Sequence, residues 1–342
     1  MSNIPAPPAD PAELFLHRRT PLQRVHGILH AYPALSPTFV LVIAAMAFAY
    51  LNPRFYAPAN LSLIAQQVAV VGALAVGQTI IIMTAGIDLS VGAITVLTAM
   101  VMAASAANYG VPGPASLAIG LVLGTLAGGV NGVLVTRLRL PPFIVTLGTL
   151  NVFLALTLLY SSGQAIQGPD IPAILLWTGQ DIAVGSFRIT TGVLLMLALY
   201  VVFTYLLRNT AWGRHVYAVG DDAEASRLAG IPVTRTLLSV YLVAGFIYAL
   251  GAWILIGRVG AASPNAASDA NLDTITAVVI GGTSLFGGRG IIIGSLLGAL
   301  IVGVFRNGLA LAGVDVLFQT LVVGVLVIVA VAIDQWIRRV RA

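Results

Sequence analysis

Long apolar stretches dominate this chain, and short clusters of Pro, Gly and Asn interrupt them. A helix that crosses a bilayer needs about 20 mostly apolar residues. Ten segments fit that pattern: roughly 34–51, 61–84, 89–108, 114–136, 141–160, 189–207, 237–257, 272–286, 290–311 and 316–336. Turn chemistry divides them at Asn52-Pro53, Pro112-Gly113-Pro114, Pro141-Pro142, Gly168-Pro169 and Gly287-Gly288. The eighth segment is short and Gly-rich and reads as a broken helix. The expected fold class is an all-α integral membrane protein of about ten transmembrane helices.

The fourth and ninth segments echo one another. Gly120, Gly124, Gly129 and Asn131-Gly132 recur as Gly294, Gly298, Gly303 and Asn307-Gly308. The two segments lie five apart and so run in opposite directions, as in an inverted-topology repeat. Gly is common in membrane helices, so chance also produces such echoes. The ladders Gly120-Gly124-Gly128-Gly132 and Gly294-Gly298 permit close helix approach, either within the chain or against a second copy.

Composition agrees with lipid as the solvent. The chain has 342 residues, of which 58% are hydrophobic and 8% charged. A soluble domain carries about 25% charged residues. The net charge of +5 comes from Arg, since there is no Lys. With the N-terminus inside, thirteen Arg fall on inside segments and three on outside ones (Arg54, Arg188, Arg258), with Arg306 in a span. That bias follows the positive-inside rule and places both termini in the cytoplasm; the location expected is a bacterial inner membrane. Residues 1–33 are Pro-rich and polar with no cleavable signal, and are expected to form a disordered cytoplasmic tail. Residues 34–342 are expected to form one permease domain, with a cytoplasmic loop at 208–236.

Candidate chemistry narrows the function by exclusion. A phosphate-binding P-loop needs a Lys, so this chain is not its own ATPase of that class. Asp88, Asp273, Asp315 and Asp334 fall at span ends and no Glu lies in a span, so no carboxylate is placed for ion coupling. Arg306 is the one charge well inside a span, and its stem is long enough to snorkel outward. There is no Cys, and the four His lack paired ligand spacing, so no metal or resident cofactor is expected. No nucleophile–base pair or paired acids fall within a span, which argues against an enzyme.

Three features remain. In the long inside loop, Gly220, Asp221 and Asp222 supply turn and N-cap residues. Ala223, Glu224, Ala225, Ser226, Arg227, Leu228 and Ala229 then form a short helix closed by Gly230 and Pro232. Its acids sit at the positive end and Arg227 at the negative end. It is either a stable connector or a coupling helix that docks into a cytoplasmic ATPase. Thr84 to Ala93, with Gly86, Asp88 and Ser90, is either a structural turn whose Asp or Ser caps the third span, or a cytoplasmic-face motif near that ATPase. The polar side chains Gln78, Asn131, Thr146, Thr149 and Asn151 suit the path of a hydroxylated neutral solute, or else hydrogen bonding between helices. Phe143 and Gly148 place the fifth segment among the candidates for that path.

Several of these segments together resemble one family. Ala85-Gly86-Ile87-Asp88-Leu89-Ser90-Val91-Gly92 resembles the GGIDLSVG-type signature of the ribose-type sugar ABC transporter permeases. Residues 277–290 (AVVIGGTSLFGGRG), Asn131-Gly132 with 142–149 (PFIVTLGT), and the loop from Gly213-Arg214 to Ala229-Gly230-Ile231 are similar to the same family. The likeness runs from about residue 60 to the C-terminus. It implies a homodimeric permease seated on a cytoplasmic ABC ATPase subunit that uses the ATP, with a periplasmic sugar-binding protein delivering the solute. Members carry ribose, xylose, galactose, fructose, inositol or autoinducer-2. Residues 287–315 look most like fructose- and ribose-type members. A permease for branched-chain amino acids and a stand-alone polyol facilitator are the alternatives.

Overall fold

The computed structural model describes residues 34–339. The N-terminal tail expected at 1–33 lies outside them. Ten apolar helices occupy the ten expected segments: α1 (Leu35–Leu51), α2 (Pro58–Met83), α3 (Val91–Ala107), α4 (Gly113–Thr136), α5 (Pro142–Ser161), α7 (Thr191–Asn209), α10 (Val233–Val259), α11 (Ala270–Ile280), α12 (Ile292–Leu311) and α13 (Val316–Arg339). Pro stands in the first turn of α2, α4 and α5, where its missing N–H costs nothing. Six of the ten are long and apolar enough to cross a membrane: α2, α4, α5, α7, α10 and α12. The protein is therefore an all-α, multi-pass membrane protein.

The eighth segment is shorter than expected. α11 has 11 residues and ends at Ile280 rather than near 286. At 1.5 Å per residue it rises about 16 Å, roughly half a hydrocarbon core. A Schellman motif stops it: Gly282 turns left-handed at φ +85°, its N–H bonds Val279 O, and Thr283 N–H bonds Val278 O. Residues 281–291 then run as irregular backbone to α12.

α10 is the central element, with 72% of its apolar window buried against 28% for α5. It packs most heavily on α4, where a Cβ on Gly128 would lie 2.2 Å from Tyr241 O and 2.9 Å from Gly245 Cα. The first glycine ladder thus packs within the chain. So does the second, because a Cβ on Gly298 would meet Ala277 O of α11 at 1.8 Å. α4 packs on α10 while α12 packs on α2, so the fourth helix of each half meets the second helix of the other. Two opposed repeats would pack in this reciprocal way.

Short elements cover one end of the bundle. β1 (Ile166–Gln167) pairs with β4 (Ala261–Ala262), and β2 (Asp181–Val184) with β3 (Phe187–Thr190) form a hairpin. Between them, α6 (Ala173–Leu176) and a 3₁₀ turn lie on α10, where Trp177 stacks on Trp253 and Thr178 Oγ1 donates to Trp253 O. At this hairpin end Arg306 does not simply reach for solvent. Its guanidinium bonds Asp273 at 2.8 Å and Asp269 at 3.4 Å. The opposite end carries α8 (Ala211–Asp221) and α9 (Ala223–Leu228).

Candidate functional site

The three motifs singled out in the sequence meet at the α8–α9 end. α8 was not anticipated, because its apolar stripe was read as loop. Thr210 caps it by accepting from Gly213 N–H at 3.2 Å. Gly213, Val216, Val219 and Gly220 form its buried face. Gly220 therefore belongs to the last turn of a helix, together with Asp221, and not to the turn expected there. Trp212 Nε1 donates to Ser239 Oγ of α10 at 2.8 Å, which fixes α8 to the bundle. Burial holds the Tyr217 phenol above its ordinary pKa, so it stays a neutral donor to Gly290 O at 2.9 Å.

Asp222 links α8 to α9. Its Oδ1 accepts from Glu224 N–H at 2.8 Å and Ala225 N–H at 2.9 Å, the N-cap expected from sequence. Arg227 pairs with Glu224 on an exposed face. Only Ser226 of the short helix is buried, and Leu228 stands 83% exposed at its tip. Ala229 and Gly230 are exposed as well.

Behind α8 lie the other two motifs. A Cβ on Gly220 would fall 1.8 Å from Met83 O and 2.7 Å from Gly288 N, so only glycine lets the backbones touch. Gly288 N–H bonds Met83 O at 3.0 Å. α2 ends here in a second Schellman motif, with Gly86 N–H on Ile81 O and Ala85 N–H on Ile82 O. The left-handed position is held by Ala85, at φ +59°, rather than by glycine.

The turn then drops Asp88 and Ser90 into the interior. Both are at most 1% exposed. Neither caps α3 in the expected way: Asp88 Oδ1 accepts from Ser90 N–H at 2.7 Å and Ser90 Oγ at 2.6 Å. The cap comes instead from Asn271 of α11, whose Oδ1 accepts from Gly92 N–H at 2.7 Å. No local sequence signal could have announced a cap donated from 179 positions away.

From Ser90 a hydrogen-bonded chain runs to α5. Asn131 Nδ2 donates to Ser90 Oγ at 2.8 Å, and Thr149 Oγ1 donates to Asn131 Oδ1 at 2.7 Å. Thr146 Oγ1 donates to Ile87 O at 2.9 Å. Of the residues assigned to a solute path, Gln78, Thr146 and Thr149 are thus enclosed and engaged between helices. Phe143 and Asn151 are exposed, eight positions apart on one stripe of α5 with exposed Leu147 midway between them. Among the described residues no cluster of metal-binding side chains exists.

Known proteins give this arrangement a context. Residues 60–331 match the family described as branched-chain amino acid transport system / permease component. The chain is 51% identical over 337 residues to the fructose import permease protein FrcC of Rhizobium meliloti, covering 97% of this chain and 94% of that one. It is 38% identical over 319 residues to the ribose import permease protein RbsC of Bacillus subtilis, covering 93% and 97%. With the D-allose transport system permease protein AlsC of Escherichia coli it shares 33% over 302 residues, covering 88% and 91%. No solved structure matches the chain.

Proposed function

The chain belongs to this permease family, and from that premise we propose that it is the membrane-spanning, non-catalytic subunit of an ATP-driven monosaccharide importer in a bacterial inner membrane. The carrying observation is the 51% identity to a fructose import permease across nearly the whole chain, against 38% for a ribose permease. Fructose is accordingly the first sugar to test. The family's description mentions branched-chain amino acids, yet the relatives described above are named for sugars.

Its partners are an ATPase subunit and a solute-binding protein. The ATPase docks on α9, whose capped, exposed helix follows directly on α8, the helix that packs against the end of α2 and against Gly287 and Gly288. The α8–α9 end is cytoplasmic in this reading, and so are both termini, as the arginine bias requires. The binding protein meets the hairpin end. The permease works as a pair of identical copies. Asn151 supports that reading: an amide on the outer stripe of a poorly buried helix is costly against lipid and suits a wet path between copies.

Reconstitution tests the reading. Proteoliposomes holding this chain, its ATPase subunit and its binding protein should accumulate radiolabelled fructose only with ATP on the ATPase side. The chain alone should pass none. Downhill sugar flux through the chain alone, or ATP-driven uptake of leucine in preference to sugars, would refute it.

A further inference from the structure

Three buried polar atoms beside the Asp88 turn lack a formed hydrogen bond. Asp88 Oδ2, Tyr241 Oη and Gln78 Nε2 make no hydrogen bond among the described residues, and their residues are at most 1% exposed. They are chemically complementary: a carboxylate oxygen accepts, an amide nitrogen donates, and a phenol does either. Tyr241 and Tyr248 both face the Asp88 carboxylate, and the Tyr248 hydroxyl lies within hydrogen-bonding reach of it. The Tyr248 hydroxyl meanwhile donates to Gln78 Oε1 at a long 3.3 Å. A buried polar atom left unbonded is costly, so matched orphans on α2, α10 and the turn between α2 and α3 need a cause.

The same turn is gripped on both sides. Toward α8–α9, Met83 O is bonded by Gly288 and pressed by Gly220, and Ala85 backs onto Gly287. Toward α5, Thr146 holds Ile87 O, while Thr149, Asn131 and Ser90 form a chain ending on Asp88. At its start the turn contains a strained left-handed alanine.

We propose that residues 84–90 are a two-position transmission element between the α8–α9 end and α5. In the conformation described, Asp88 accepts from Ser90. In the second, the carboxylate also accepts from Tyr241, and α5 moves with the turn through Thr146 and Asn131. Tyr241, Asn131 and Thr149 are then positioning residues: they touch no solute but relay the movement that opens its path. The inference rests on the reading of the chain as an ATPase-driven permease. A water filling the same gap would also satisfy the orphans, and the two accounts part over Tyr241→Phe. In a static, water-filled site the Tyr241 hydroxyl relays no movement, so that account predicts full activity.

The test uses the reconstituted complex and follows fructose and ribose uptake beside ATP hydrolysis. Tyr241→Phe should lower the maximal uptake rate about five- to tenfold, one hydrogen bond's worth, leave half-saturation unchanged and let ATP hydrolysis continue. Thr149→Val should do the same and Thr149→Ser should restore it, since serine keeps the hydroxyl. Wild-type uptake by Tyr241→Phe would overturn the proposal, as would a fall in uptake matched by an equal fall in hydrolysis. A second measurement needs no sugar. The chain has no cysteine, so spin labels on Val133→Cys and Ile144→Cys report α5 against α4 in the ATPase complex. Two distances that interchange with nucleotide, reduced to one by Tyr241→Phe, support the switch; one fixed distance in the otherwise wild-type chain overturns it. A complex that moves neither sugar yet shows both distances would fault the permease reading and leave the switch standing.

Discussion

Asp88 and Asp273 are both enclosed carboxylates, at 1% and 5% exposure, and they lie at opposite ends of the bundle. Asp273 is closed by Arg306 at 2.8 Å, which also reaches Asp269 at 3.4 Å and so ties the start of α11 to the end of α12. No ion pair reaches Asp88 among the described residues, and it is held by neutral donors, Ser90 and the Tyr248 hydroxyl. A buried pair of opposite charges has one strongly preferred geometry, because parting it strands a charge. A carboxylate held by neutral hydroxyl and amide donors exchanges them at little cost, since each bond nets only about 1 kcal/mol. The hairpin end is accordingly built as a clamp and the α8–α9 end as a joint.

The largest expected effect separates the ends by function. Asp222→Arg removes the α9 cap and puts a cation at the positive end of the helix. Sugar uptake by the complex should fall below detection, while the chain still inserts and its melting temperature in detergent barely changes. Normal uptake in a membrane-verified variant would mean that α9 is a connector only.

Stability separates them next. Asp273→Leu should cost about 2 kcal/mol, below the 3–5 of a fully buried pair, because the Arg306 side chain is 27% exposed and keeps Asp269. Asp273→Leu with Arg306→Met should recover most of that loss. Asp88→Asn strands no cation and should cost less than about 1 kcal/mol. Equal losses at the two sites, read as melting temperatures in one detergent, would erase the contrast. A smaller effect falls on the path. Asn151→Leu should reduce fructose uptake about fivefold, roughly the worth of one polar contact, with assembly and melting temperature unchanged. Unaltered uptake would remove Asn151 from the path.

The helices were legible because apolar length is written locally: all ten expected segments carry a helix, and Asp222 caps α9 as its sequence predicts. The capped connection between α8 and α9 was half legible. α8 is amphipathic and short, so its stripe hid among Arg and His, and Gly220 looked like a turn although it marks a contact with Met83. Arg306 was read as a lone cation because its partners lie 33 and 37 positions away. The polar residues Gln78, Thr146 and Thr149 could be recognised as polar within spans, but their direction could not. Helix rotation decides whether a hydroxyl faces a path or a neighbouring helix, and a 28%-buried helix such as α5 carries both kinds.

Ala85 gives the finest test of the joint. It occupies the left-handed position that ends α2, where Gly282 serves at the end of α11. A non-glycine residue there costs about 1–2 kcal/mol, and glycine returns part of this through the freedom it gives the unfolded chain. Ala85→Gly should therefore stabilise the described conformation by about 0.5 kcal/mol, a small rise in melting temperature. If the turn is a static support, better stability leaves uptake as it was. If it has two positions, relief of strain in one deepens that well and slows departure from it. Ala85→Gly should then transport about twofold more slowly, as about 0.5 kcal/mol in a barrier implies, while melting higher. Stability and rate moving in opposite directions is the signature of the joint; a variant that gains stability at no loss of rate would make the Asp88 turn a clamp like the one at Asp273.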